Sequence, residues 1–248
     1  MLIYPGVMPL DVAGPLQVFD LCNIMRGEIC YEVSTVAPEP GPVACSVGIT
    51  YLPTCTIDEL LLPIDLLLVP GSADYEAASK TRMTQWLSMA APQARRFGSV
   101  CTGAFLLGAA GLLEGKRVTT HWLFADALSS SVPAAQVEVD AIYIKDGNTY
   151  SSAGISAGID LALALVEEDY GNALALEITR HLVLYMKRSG GQVQFSPLLK
   201  SQFSEQPVLR ALQQWCLENL HAGLSNEDLA IRASMSTRSL FRMFESEV

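Results

Sequence analysis

Gly98-Ser99-Val100-Cys101-Thr102-Gly103-Ala104 is the stretch on which the fold turns. An apolar strand over Phe97 to Val100 delivers Cys101 into a sharp bend, and a helix starts at once on residues small enough to let the backbone turn tightly. That is the geometry of a nucleophile elbow, with a cysteine at a helix N-terminus. The positive end of the helix favours the thiolate, so the Cys101 pKa is expected to fall. Val69-Pro70-Gly71-Ser72 leaves a neighbouring apolar run and is expected to aim the amides of Gly71 and Ser72 at the same point. With the Thr102 amide they would form an anion or oxyanion nest. The alternative is that Cys101 is a buried small hydrophobe, the usual fate of a free cysteine.

Outward from the elbow, short apolar runs alternate with helical stretches. Strands are expected at Met1 to Tyr4, Ile29 to Ala37, Ile64 to Val69, Phe97 to Val100 and Val118 to Thr120. Helices are expected at Pro9 to Arg26, Thr81 to Ala94, Thr102 to Leu113, Ile155 to Val166 and Asn172 to Met186. Gln136 to Tyr150 reads as a hairpin around Asp146-Gly147-Asn148. This alternation predicts an α/β fold, a doubly wound, mostly parallel, flavodoxin-like sheet covered on both faces. With 248 residues, half of them hydrophobic, the chain can bury such a core and still carry a small second domain.

The formal charge of -10 is unevenly spread. Residues 187–248 carry seven Lys and Arg against six acids, a net of +1, which leaves nine against twenty, a net of -11, for residues 1–186. The six cysteines (Cys22, Cys30, Cys45, Cys55, Cys101, Cys216) form no CxxC pair and no cluster with histidine. Neither a metal centre nor a cofactor is expected. Without a leader or a membrane-spanning run, a cytoplasmic location with reduced thiols is expected.

The C-terminal end reads differently. Val208, Leu209, Ala211, Leu212, Trp215, Leu217 and Leu220 fit one amphipathic helix, and Ser225-Asn226-Glu227-Asp228 caps a second. Leu229 to Phe244 then reads as helix, tight turn, helix. Ala230 permits a close crossing and Ser236 caps the final helix. Leu240, Phe241 and Phe244 are assigned to its buried side, and Thr237, Arg238 and Arg242 to its outer side. A basic outer face over an apolar spine suits a DNA-reading helix, whereas the plainer reading is a surface hairpin with incidental arginines. The organisation expected is a domain over 1–186, a linker over 187–204 containing Gly190-Gly191, and an all-α helix-turn-helix domain over 205–248.

Ser99-Val100-Cys101-Thr102-Gly103-Ala104-Phe105-Leu106-Leu107, with Thr119-Thr120-His121-Trp122, resembles the ThiJ/PfpI superfamily of class I glutamine-amidotransferase-like folds. Pro9 to Phe19 and Gly154 to Asp160 resemble the branch that holds isonitrile hydratases and the sensor halves of GlxA-type regulators. The resemblance implies that an acid on the first helix, here Asp11, hydrogen-bonds the elbow cysteine, while a helix-capping role for Asp11 stays open. It makes Cys101, Asp11 and Thr102 the candidate catalytic or ligand-binding residues, with Gly71, Ser72 and His121 lining the ligand site. His121 is also the other candidate partner of Cys101, an imidazole base in a Cys–His pair, against a plainer reading as a hydrogen-bonded structural histidine. Thr102 stands where peptidase-like members carry histidine, which argues against a peptidase triad.

Residues 205–248 are similar to the first half of an AraC/XylS DNA-binding domain, with Ser236, Thr237, Arg238 and Arg242 on its recognition helix. That family has a second helix-turn-helix, absent up to Val248, so weak DNA binding by this chain is expected, offset in a homodimer. The function expected is a ligand-responsive, sequence-specific transcriptional regulator with an unknown small-molecule effector. The alternatives are a cysteine-dependent enzyme such as an isonitrile hydratase, or a redox role for an oxidisable Cys101.

Overall fold

Helix α1 (Pro9–Arg26) begins on a proline and ends at Gly27, whose left-handed backbone (φ 68°) lets its amide cap the carbonyls of Asn23 and Ile24. These are the bounds read from sequence. In the computed structural model, which describes residues 1–185, 187–191, 194, 206–219, 221 and 224–247, the chain divides into two compact units, Met1–Gln194 and Phe195–Val248.

After α1 the first unit runs through β1 (Val36–Ala37), β2 (Val43–Ala44), β3 (Thr50–Tyr51), β4 (Cys55–Thr56), β5 (Leu66–Val69), α2 (Tyr75–Ala78) and α3 (Arg82–Ala90). It continues through β6 (Arg96–Val100), α4 (Gly103–Ala109), β7 (Arg117–Val118), α5 (Ala125–Ser131), β8 (Gln136–Val137), β9 (Tyr143–Asp146), β10 (Thr149–Ser152), α6 (Ala157–Tyr170) and α7 (Asn172–His181). The central order is β5-β6-β10-β9, parallel except for the β9/β10 hairpin. Met1 to Tyr4 extends it. Leu2 N–H donates to the Leu68 carbonyl and Ile3 N–H to that of Val36, so the first residues join β5 to the parallel β1–β4 pair. Helix α6 packs on β9 and β10 and against α1 and α7, while α4 lies on β5 and β6, flanked by α2, α3 and α5. Helices in two layers bury every residue of β6.

Several expected elements are shorter than their apolar pattern. The strand expected from Ile29 survives only at Val36–Ala37, because Asn23 captures the backbone before it. Its Oδ1 accepts from the amides of Cys30 and Tyr31 (2.8 Å each), and its Nδ2 donates to the Tyr31 carbonyl. Gln136–Val137 lies parallel to β7 instead of joining the hairpin around Gly147. The β2/β3 hairpin and β4 had no counterpart in the sequence reading. The helix expected up to Met186 ends at His181, and Met186 lies outside the described residues.

In the second unit, α8 (Pro207–Glu218), α9 (Asn226–Arg232) and α10 (Thr237–Glu247) enclose Leu209, Leu212, Ala230, Ala233 and Leu240. Ala230 sits in this core as its small size suggests. The turn from α9 to α10 is tight. Ser234 takes a left-handed conformation (φ 55°) and Met235 N–H donates back to the Ala230 carbonyl. Phe241 is half exposed, not buried, because the packed face of α10 runs through Leu240, Met243 and Phe244. Leu220, the Leu217 side chain, Glu205 and residues 195–204 of the expected linker lie outside the described residues.

Candidate functional site

Cys101 stands between β6 and α4 with φ 56°, a conformation that costs a non-glycine residue energy and persists only where its surroundings enforce it. They do so from three sides. Its amide donates to the Ser152 carbonyl at 3.1 Å, its carbonyl accepts the Thr120 hydroxyl at 2.8 Å, and α4 is pressed onto the end of β5. A Cβ on Gly103 would lie 2.1 Å from the Val69 carbonyl oxygen, so only glycine permits that approach.

The elbow is laced to the loop after β5. The Thr102 hydroxyl donates to the Ser72 carbonyl (2.8 Å) and accepts from the Ser72 amide (2.9 Å), while the Gly71 amide donates to Asp11 Oδ2 (3.0 Å). Tyr4 closes the group by donating its hydroxyl to the Pro70 carbonyl at 2.7 Å. Cys101, Asp11, Thr102, Gly71 and Ser72 therefore converge, all of them buried. The Gly71 and Ser72 amides are already engaged, so the nest expected from them is not formed. The backbone amides that reach the Cys101 thiol are those of Thr102 and Ile155.

Ile155 was missed by the sequence reading, which made it the first residue of a helix. It lies between β10 and α6, as Cys101 lies between the adjacent β6 and α4, and has φ 52°. A β-branched residue at positive φ is a marked outlier. Its amide lies near both Cys101 and Asp11 and pulls their pKa values down against burial. The one signal in the sequence is a second strand-to-helix junction on small residues, Ala153-Gly154-Ile155-Ser156-Ala157.

The electrostatics overturn one expectation. Burial, joined by the nearby Asp11 charge, pushes the Cys101 thiol up to about 12, outweighing the Thr102 and Ile155 amides, so the helix N-terminus does not lower it. Burial likewise raises Asp11 to about 7, against the pull of the Gly71 and Ile155 amides, and its Oδ1 has no hydrogen-bond partner. Near neutrality Asp11 is thus poised to hold or release a proton beside a thiol.

His121 follows Thr120, whose hydroxyl holds the Cys101 carbonyl. Its Nδ1 accepts from the Leu123 amide (3.2 Å), its ring stacks on Trp122, and it lies flat on Gly154, where a Cβ would approach its Cδ2 to 2.0 Å. Burial lowers its pKa. A cavity of about 530 Å³ lies elsewhere, lined by Tyr31, Leu66, Leu68, Arg95 and Asp169 at the start of the central strands. The elbow lies at their other end and contributes nothing to it.

In the second unit the Ser236 hydroxyl accepts from the Ser239 amide (3.2 Å) at the start of α10, and Arg238 and Arg242 are exposed, with Thr237 half-buried. Among the described residues, no three His, Cys, Asp or Glu side chains gather as a metal site, and no helix is long and apolar enough to cross a membrane.

Fold and elbow together define a flavodoxin-like α/β protein with a cysteine held at a strand-to-helix turn. The model of the DJ-1/PfpI family matches residues 1–168, and the chain belongs to that family. It is 37% identical over 172 residues to an isonitrile hydratase of Pseudomonas putida, spanning 68% of this chain and 71% of that protein. The HTH-type transcriptional regulator GbdR of Pseudomonas aeruginosa is 26% identical over 236 residues, or 95% of this chain. The chain spans only 64% of that regulator's length. Among solved structures, a ThiJ/PfpI family protein from Pseudomonas syringae superposes with a TM-score of 0.68 at 28% identity, covering 88% of this chain and 85% of that one. Regulators with a helix-turn-helix thus match the chain through both of its units.

Proposed function

We propose that the protein is a ligand-responsive, sequence-specific transcriptional regulator acting in the cytoplasm as a homodimer. A small molecule binds at Cys101, Asp11 and Thr102, beside Gly71, Ser72 and His121. DNA is contacted through Ser236, Thr237, Arg238 and Arg242. The observation that carries this reading is the second unit. Its final helix presents Arg238 and Arg242 to solvent over a core through Leu240, and the similarity to helix-turn-helix regulators extends across it. With a net charge of only +1 in residues 187–248, phosphate attraction is modest and base contacts must do more of the selection.

The test is to select duplexes from a random pool with the full chain and measure their affinity at fixed salt. Changing Arg238→Ala together with Arg242→Ala weakens binding at least about tenfold, while Cys101→Ala leaves it unchanged. Equal binding by the double variant, or a pool in which no sequence is enriched, overturns the reading.

The relation to isonitrile hydratase favours a second reading for the first unit. The Cys101 sulfur adds to the isonitrile carbon and a proton is delivered to that carbon, giving a thioimidate. Water then adds, the thiol leaves with its proton, and an N-substituted formamide is released, so that isonitrile and water are the whole input. Asp11 is the group poised to move the proton. Formamide production that disappears in Cys101→Ala supports this reading, and its absence in the wild-type protein excludes it.

A further inference from the structure

The site at Cys101 is narrow. Asp11 is 0%, Thr102 2% and Cys101 5% exposed, while His121, Gly154 and Ile155 beside them are half-buried, so access to the sulfur depends on where these walls stand. Two wall segments meet there. Thr119 to Trp122 supports the Cys101 carbonyl through Thr120 and lays His121 on Gly154, while Gly154 to Asp160 supplies the Ile155 amide and the start of α6.

One strap of chain, the described part of 187–194, is fastened to both. Arg188 holds the second wall. Its amide, Nε and Nη2 donate to the Asp160 carboxylate at 3.1, 3.0 and 2.6 Å, and Nη2 also donates to the Ser156 hydroxyl at 3.0 Å. Asp160 is buried and pairs with Arg188, so it strongly favours the docked strap. Gln194 holds the first wall. Its Nε2 donates to the carbonyls of Thr120 and Val139 at 2.9 Å, and its Oε1 accepts from the Trp122 amide at 2.9 Å. Between them the Gly190 carbonyl accepts from the Ile142 amide at 2.9 Å.

We propose that Arg188 and Gln194 are positioning residues of the Cys101 site: docked, the strap clamps both walls shut, and opening the site to a small molecule and releasing the strap are one equilibrium. The inference rests on reading Cys101 as a small-molecule site. It gives that reading a physical output, because the residue after Gln194 begins the second unit. Occupancy and strap release must then bias one another reciprocally.

The experiment uses the full chain and iodoacetamide, with labelling of the Cys101 and Cys22 peptides followed separately by mass spectrometry. Cys22 is fully buried in the main core, so it reports global loosening. In Gln194→Ala and Arg188→Ala, labelling of Cys101 accelerates about tenfold or more while that of Cys22 does not change. Arg188→Lys, which keeps the charge but not the forked geometry, falls between. In the wild-type protein, complete labelling of Cys101 speeds hydrogen exchange at the strap amides by a similar factor, and Cys101→Ala treated identically shows no such change. Equal acceleration of both cysteines, unchanged Cys101 labelling, or strap exchange indifferent to a labelled Cys101 overturns the proposal. None of these readouts involves DNA, so failure of DNA binding is seen separately in the duplex selection.

Discussion

The candidate residues of the first unit and those of the second are built on opposite plans. Around Cys101 the side chains of Asp11 and Thr102 are buried and bound to backbone from distant parts of the chain, so position is set by packing and charge is costly. On α10, Arg238 and Arg242 stand in water on a helix whose buried side needs only Leu240, Met243 and Phe244. Chemistry held by many long-range contacts is prepared in advance and sensitive to small displacements. A face held by one helix is ready for an outside partner and indifferent to its neighbours.

The sharpest way to break this contrast is at Gly103. An added Cβ would collide with backbone at the end of β5, where no side chain can move aside. Gly103→Ala is therefore expected to destabilise the first unit by about 3 kcal/mol or more, seen as a lower denaturant midpoint, and to disturb Cys101 with it. A loss below about 1 kcal/mol would mean that the elbow is far looser than its contacts indicate.

Asp11 sharpens the comparison through pH. Its carboxyl holds its proton up to about 7 in the folded protein and only to about 3.8 when unfolded. The folded state thus binds more protons between these values, so the stability this group contributes is full below about 4 and is lost as pH rises to about 7. Urea midpoints should show the wild-type protein losing a few kcal/mol across that window relative to Asp11→Asn, which does not titrate. Parallel pH profiles for the two proteins would remove Asp11 from the list of buried acids.

The smallest effect belongs to the exposed plan. Ser236→Ala removes the cap of α10 and should cost about 1 kcal/mol in the second unit, measurable as lost helix content on heating. Cys101 labelling should not respond. A change there would contradict the independence of the two plans.

Much of this was legible from residues in order. Helix α1 has the bounds that Pro9 and Gly27 announce, Leu66–Val69 and Arg96–Val100 lie where the apolar runs place them, and the elbow at Cys101 follows from a strand meeting small residues. Ser236 and the outward arginines of α10 could be read because capping and helical period act within a few residues. Errors lie where side chains from outside the local window intervene, although Phe241 was misplaced by the helical period itself. The strand expected from Ile29 yields to the Asn23 side chain, and the amides assigned to an oxyanion nest are taken up by Asp11 and Thr102.

By itself the sequence determined the α/β alternation, the cysteine at the turn and the capped helical pair at the C-terminal end, since each is a matter of local backbone preference and hydrophobic period. Only the tertiary structure decided that Asp11 sits near neutrality, that the Cys101 thiol is raised instead of lowered, that Ile155 lends its amide, and that Arg188 and Gln194 fasten the walls. The physical reason is the same in each case. Desolvation and hydrogen-bond partnership depend on what the rest of the chain brings alongside, and no short window of sequence contains that information.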